Sequence, residues 1–476
     1  MLREPGLVRF DTSTDKDFLI FRSDRSSMKT YNFDYTYALT IDTVNEILQL
    51  NLALIDLEVS YSRQNTGSSL TLTGKLAPWS IVTGGSNQLL RFNVLFSSGT
   101  LTVEEPTFGT RSYDLAGAIV QIEANLGWLG AGSSTNSQGN SDSTGLVFDF
   151  HSRTLPGTRG NVSAYQVIDP SGKLQQAGQI LRDIMPDLLV QNKDKLQSIF
   201  ARINPAPGNV GSWLAPKCWD YYYAESGGKG YLCFLCMVSD NPLPSALGFD
   251  TSIFSLFPNA NTFFSISREM FLRNVVLPAL QQTFSGSSFS VANLCGNWQL
   301  LNQNNVTIDK LTATSLICRI DSDGLGLRVT VSGGGPLKFL FGLADLPGAY
   351  FSWQVGSLYL LQFDATKQTV TFLPDPNPCK HADHYVPAAD WVLLFVIDIL
   401  NIAGIASLIY DATAGFINQI NNLNVDGVNT CLGQAFGGNP INLANLVDWN
   451  RTGWQLTLQT AGLDGDFYMV ADLQLS

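Results

Sequence analysis

Apolar and polar residues alternate over long stretches of this chain. Ile55, Leu57, Val59 and Tyr61 alternate with Asp56, Glu58 and Ser60. Leu90, Phe92, Val94 and Phe96 alternate with Arg91 and Asn93, and Val120, Ile122, Ala124 and Leu126 with Gln121, Glu123 and Asn125. A period of two marks strands with one buried and one wet face, as in antiparallel sheets. Asp323-Gly324, Asp426-Gly427 and Asp464-Gly465 read as hairpin turns, and Gly130 to Gly145 (GAGSSTNSQGNSDSTG) as a flexible loop.

Helical periodicity is scarce, and where it occurs it repeats. A strand ending Tyr37-Ala-Leu meets Thr40-Ile-Asp-Thr-Val-Asn-Glu-Ile-Leu48, with Thr40 as N-cap and Asp42 in the first turn. Much later, Phe264-Ser-Ile meets Ser267-Arg-Glu-Met-Phe, where Ser267, Glu269 and Phe271 stand as Thr40, Asp42 and Val44 do. A long helical stretch follows each, Gly172 to Ile203 and from Trp391 onward. Pro186 is expected to end or kink the first, or to open its second segment. Each long helix precedes a closing hairpin with Trp and Gly, Trp219 to Phe234 and Trp454 to Val470. This order, occurring twice, reads as an internal duplication with a boundary near residue 250. The expected organisation is an N-terminal arm (1–29) and two modules (30–250 and 251–476). A long apolar helix beside amphipathic strands suggests, in each module, a sheet curled around a helix, an α+β arrangement.

Of the 476 residues, 45% are apolar, an ordinary share, but only 14% are charged, against about 25% in a typical domain. Disorder is excluded, because disordered chains pair low hydrophobicity with high charge. A net charge of −12 without a basic run gives no footprint for nucleic acid and no attraction to anionic headgroups. Contact with lipid is therefore expected through an apolar cavity. Seven scattered cysteines and the absence of a basic-then-apolar leader fit synthesis in a reducing cytoplasm without a signal peptide, compatible with export by lysis or with partners. Trp391 to Tyr410 has the length of a membrane span. Asp398 within it costs about 2.5–3.5 kcal/mol on the insertion scale, and its flanks are Asp390 and Asp411, so it reads as a buried helix rather than a transmembrane span.

Signatures of catalysis are missing: no nucleophile elbow, no phosphate loop, no zinc-protease helix and no dinucleotide fingerprint. The dense polar cluster Cys379-Lys-His381-Ala-Asp-His384 could offer soft metal ligands, but without a second ligand pair it reads as an exposed loop, and no metal site is assigned. Cys233-Phe-Leu-Cys236 has redox spacing, yet in an alternating strand its thiols point to opposite faces and read as buried and free. Asp321 to Gly324 reads as a hairpin turn rather than a calcium loop.

The segment Tyr31-Asn-Phe-Asp34-Tyr-Thr-Tyr-Ala-Leu-Thr40-Ile-Asp-Thr-Val44-Asn45 resembles the opening of the clostridial 47-kilodalton protein family, encoded beside botulinum-type neurotoxins in OrfX-type clusters. Asp34, Val44 and Asn45 match, and Phe33 replaces a Trp. The block Gly74-Lys-Leu-Ala-Pro-Trp79-Ser-Ile-Val-Thr-Gly84-Gly85, followed by Gly99, looks like the family's Gly-aromatic-Trp-Ile-Gly-Gly block. Asp375-Pro-Asn-Pro378 and the helix from Trp391 are similar to its C-terminal half. The resemblance covers roughly residues 28 to 476. It implies the tubular lipid-binding (TULIP) fold, two modules with a long helix wrapped in a highly curved antiparallel sheet and an apolar tunnel between them. It also implies a non-enzymatic accessory protein with OrfX-type proteins or a cluster toxin as partners.

The expected ligand is a lipid or other long apolar molecule, with no cofactor. Its lining is placed on the inward helical stripes: Val44, Leu48, Ile184, Leu188, Phe271, Val275, Leu394, Ile397 and Leu408. Each also reads as an ordinary core position. The alternatives are an interaction module whose interior is filled by side chains, and an enzyme built on a perturbed carboxylate pair.

Overall fold

In the computed structural model the structure describes residues 29–385 and 426–475, except 54, 56, 130–138, 141–144, 149, 154–159, 197–198, 204–211, 309–310, 322–323, 325, 340–343, 433, 435–446 and 449–453. The expected helix from Trp391, with Leu394, Ile397 and Leu408, lies outside the described residues, as do residues 1–28. The rest is a β-rich α+β fold. Its named strands pair antiparallel throughout, and no helix among the described residues is long and apolar enough to cross a membrane.

A seven-stranded sheet holds the molecule together. Its order is Trp454–Asp464, Asp466–Leu475, Thr262–Ile266, Tyr35–Thr40, Lys229–Met237, Cys218–Ser226 and Gly139–Asn140. The two central strands pair with Tyr35 opposite Ile266, Tyr37 opposite Phe264 and Leu39 opposite Thr262. Each runs straight into a capped helix, and each is flanked on its outer side by one of the expected Trp-containing hairpins. Every residue of Tyr35–Thr40 is buried, because both faces of this sheet are covered. Tyr35, Tyr37 and Leu39 enter one apolar cluster, while Ala38 joins Phe33, Phe263 and Val470 in another. Cys233 and Cys236 divide between the same two clusters, as their odd spacing requires.

The helix Ile41–Leu52 begins where expected: Thr40 Oγ1 accepts the Thr43 N–H at 3.4 Å. Ser267 Oγ accepts from Met270 N at 3.3 Å and opens Arg268–Phe271. That second helix continues as a π-helical turn, Leu272–Val276, and then as Leu277–Thr283. Pro278 supplies no N–H to the ladder, and the Asn274 amide donates back to the Met270 carbonyl at 2.9 Å. A wide turn beside a proline accommodates both.

In the first half, strands Glu58–Asn65, Ser68–Leu76, Leu89–Glu105, Ile119–Ala124 and Val162–Ile168 form a second sheet. The 17-residue strand Leu89–Glu105 pairs with Ile119–Ala124 over its first part and with Ser68–Leu76 and Gly109–Asp114 over its second. The change of partner falls where Gly74 faces Gly99. A Cβ on Gly99 would lie 2.9 Å from Gly74 Cα, and its φ of +153° is in glycine territory. In the second half, Leu311–Ile320, Gly326–Phe339 and the 21-residue Ala344–Asp364 form the body of an eight-stranded sheet.

Several local expectations need correction. The stretch Gly172 to Ile203 is not one helix. Asp169 ties up the Ser171 and Leu174 N–H groups, so the helix starts at Ala177. It runs to Gln191, with a short turn Lys193–Leu196 and then strand Ile199–Ile203. Pro186 neither ends the helix nor opens a new one: it lies inside it, buried like Leu181, Ile184, Met185 and Leu188. Asp426-Gly427 is helical rather than a hairpin. Val428, Cys431 and Leu432 are buried at helical spacing there, and Gly427 abuts Thr283. Gly139–Asn140, within the expected flexible loop, pairs with Cys218–Trp219; most of that loop lies outside the described residues. Cys379–Tyr385 is a strand rather than a loop, because Tyr350–Gly356 offers it a free sheet edge. The expected turn at Asp464-Gly465 joins two paired strands, with Gly465 at φ +81°. At the other expected turn, Gly324 has φ +71° between the paired strands ending at Ile320 and starting at Gly326.

Candidate functional site

Six of the nine expected lining residues are described, and the fold brings them into one body. Val44, Leu48, Ile184, Leu188, Phe271 and Val275 are each 0–2% exposed and belong to a single apolar cluster reaching both halves. The cavity of about 560 Å³ at the hairpin tips is lined instead by polar residues such as Gln64, Asn65, Ser69 and Glu104.

The motif residues prove to be clamps. Trp79 is 1% exposed and sits against Phe92, Phe148 and Phe150, with ring centroids 6.5, 4.9 and 5.6 Å away. Asn45, reaching out from the first helix, accepts the Ile81 N–H at 2.7 Å and donates to the Ile81 carbonyl at 2.9 Å. Its amide thus behaves as a strand residue, fixing the helix to the strand that follows the Trp79 block. The same device recurs. Asn192 brackets Ser60, Asn261 brackets Leu473, Gln368 brackets Leu458 and Asn429 brackets Phe372.

Two buried aspartates mark the corners of the central sheet. Asp34 Oδ2 accepts the N–H groups of Val238 and Ser239 at 2.8 and 2.7 Å. Asp466 accepts Thr30 N–H at 2.7 Å through Oδ2 and Arg268 N–H at 2.8 Å through Oδ1. Burial pushes the Asp466 carboxyl up from the ordinary range; the two backbone N–H groups and the Arg268 charge offset part of that.

Between these corners lies a pocket of about 570 Å³. One wall is the turn Thr30 to Phe33, closed by Phe33 N–H to Thr30 O at 3.0 Å. Both of its central residues, Tyr31 (φ +50°) and Asn32 (φ +70°), have positive φ. A second turn of the same kind, Cys295 (φ +53°) and Gly296 (φ +84°), brings Gly296 and Trp298 to the pocket. Arg268, Glu269 and Asn241 complete the rim. The sequence reading missed this pocket. Asp466 directly after a turn glycine was visible, but its partners lie 198 and 436 positions away.

The thiols Cys233 and Cys236 are free, and burial pushes both well up; Cys318 rises to about 12 by burial. Protonated thiols in apolar surroundings are inert. His381 and Asp383 are exposed on the strand Cys379–Tyr385, and among the described residues no group of three metal-ligating side chains is assembled.

The sequence profile of the OrfX-like family, described as Protein OrfX2/OrfX3/P47, matches residues 30–316. The structure of P47 from Clostridium botulinum A2 is similar over 94% of this chain and 98% of its own, at 18% identity and a TM-score of 0.65. That of P47 of Clostridium botulinum E1 is similar over 93% and 100%, at 18% identity and a TM-score of 0.63. No curated protein matches the chain in sequence. The solved structures share its fold, and the profile spans more than half of its length: the chain belongs to the OrfX-like family.

Proposed function

We propose that this chain is a non-enzymatic accessory protein of a bacterial neurotoxin or insecticidal toxin gene cluster, working with OrfX-type partners and holding a lipid or another long hydrophobic molecule in its apolar interior. Family membership supports the accessory role. One observation supports the cargo: a single apolar cluster runs from Ile47 and Leu188, past Tyr37 and Phe264 in the central sheet, to Phe271 and Trp353 in the other half. In this reading each half is a TULIP-like module, with the boundary near residue 250. The strand, capped helix, sheet and closing hairpin that each half contributes support it.

A second reading, an interaction module without cargo, draws on a different observation: the six described lining positions are closed to solvent. Catalysis through a carboxylate pair finds little support in Asp466, the described carboxylate that burial raises, since backbone N–H groups occupy both its oxygens. Mass spectrometry of organic extracts of the purified protein separates the two readings. A stoichiometric acyl lipid is the expected result. No lipid, with retention of OrfX-type products of neighbouring genes in a pull-down, would establish the module reading instead.

A further inference from the structure

The pocket between Asp34 and Asp466 holds five acidic or basic side chains of unequal availability, Lys29, Asp34, Arg268, Glu269 and Asp466. Its three acids are engaged: Asp34 by Val238 and Ser239, Asp466 by Thr30 and Arg268, Glu269 by Arg273 at 2.7 Å. Its two cations are less committed. Arg268 gives Nε to the Gly465 carbonyl at 2.8 Å and its charge acts on Asp466, but among the described residues neither Nη nitrogen nor Lys29 Nζ makes a hydrogen bond or ion pair. A guanidinium held by its Nε with both Nη groups unspent suits a carboxylate. The three surrounding carboxylates repel a phosphate dianion about twice as strongly as a monocarboxylate, which favours the single charge.

The aromatic walls give the ligand its second half. Tyr31 is 47% exposed, on a turn that holds this bulky residue at φ +50°. Trp298, partly buried, lines the same pocket. The volume of about 570 Å³ suits a small molecule.

We propose that this pocket binds a monocarboxylate carried on a flat aromatic or apolar group, with Arg268 taking the carboxylate and Tyr31 and Trp298 the apolar body. The proposal is separate from the lipid reading, since none of the six buried lining positions contributes to this pocket. Titration of the full chain with phenylacetate, followed by calorimetry and by the fluorine signal of 5-fluoro-Trp298 assigned through Trp298→Phe, tests it. Phenylacetate is expected to bind about tenfold or more tightly than phenethyl alcohol, and Arg268→Gln to remove that advantage. Tyr31→Ala, which touches an exposed side chain, is expected to lower phenylacetate to the affinity of acetate and covers the case in which Arg268→Gln fails to fold. Equal binding of the alcohol, unchanged binding by Arg268→Gln or Tyr31→Ala, tighter binding of inorganic phosphate, or no response at millimolar phenylacetate would each overturn it.

Discussion

The two halves agree at their corners and differ in their interiors. In both, a buried central strand ends in a hydroxyl cap, an acid follows two residues on, and a helix turns inward. In both, an asparagine on a later helical segment, Asn192 or Asn429, brackets the backbone of a strand, at Ser60 or Phe372. The interiors diverge. The first half packs Trp79 in a cage of three phenylalanines, whereas the second stacks Phe271 on Phe467 at 5.0 Å and widens its helix into a π turn. What the halves share is therefore the geometry that locks helix to sheet, and what varies is the shape of the space behind it.

The largest effect expected is on the part that differs. Trp79→Ala removes the centre of the aromatic cage and should destabilise the chain by about 3–5 kcal/mol. Hydrogen exchange should show lost protection around Phe92 and Ile122 before any loss around Phe467. Equal loss in both halves would mean that their interiors form one cooperative unit.

The shared locks come next. Asn45→Ala, Asn192→Ala and Asn429→Ala each leave one part-buried N–H and one C=O unanswered, and each should cost about 1 kcal/mol in denaturant unfolding. Because these amides are uncharged, the cost should not change between low and high salt. The ion pairs provide the contrast. Lys173 and Asp114, each about half exposed, should contribute little, and salt should remove that little.

Asp466 allows a test by pH. Its folded-state pKa lies above the ordinary value, so the folded chain holds this proton more tightly than the unfolded one. Its contribution to stability is fully present at pH below the ordinary carboxylate value and declines as pH rises through the raised one. Wild type should therefore lose stability relative to Asp466→Asn across that window; a relative gain with rising pH would contradict the assignment. The smallest effects belong to the caps. Thr40→Ala and Ser267→Ala should each lower stability by about 1 kcal/mol, and a clear inequality between them would break the correspondence of the two corners.

Much of this was legible in the sequence, for reasons that particular residues make plain. Alternation from Leu90 to Phe96 exposed a strand because one face meets the core and the other water. Thr40 and Ser267 announced helices because a hydroxyl answers N–H groups within its own first turn. Asp426-Gly427 misled because the dipeptide favours a turn only where tertiary packing is indifferent, and here Val428 and Leu432 are buried. The 177–191 helix was shorter than its periodic pattern because Asp169 and Asn192 spend their side chains on backbone groups at either end. The clamps and the central pocket join positions up to 436 residues apart. No local pattern encodes such a pairing. Asn45 and Asp34 were visible as motif residues, but their work appears only once Ile81 and Val238 stand beside them.

The low charge of the chain, 14%, fits a molecule whose positions are fixed by amides and whose interior is apolar. The central claim is that the apolar interior takes up a long hydrophobic molecule without electrostatic help. Uptake of a fluorescent acyl probe by the purified chain, measured from low to high ionic strength, tests it most directly. The account predicts saturable uptake with an affinity that stays flat as salt rises; no uptake, or a steep loss between low and moderate salt, would contradict it.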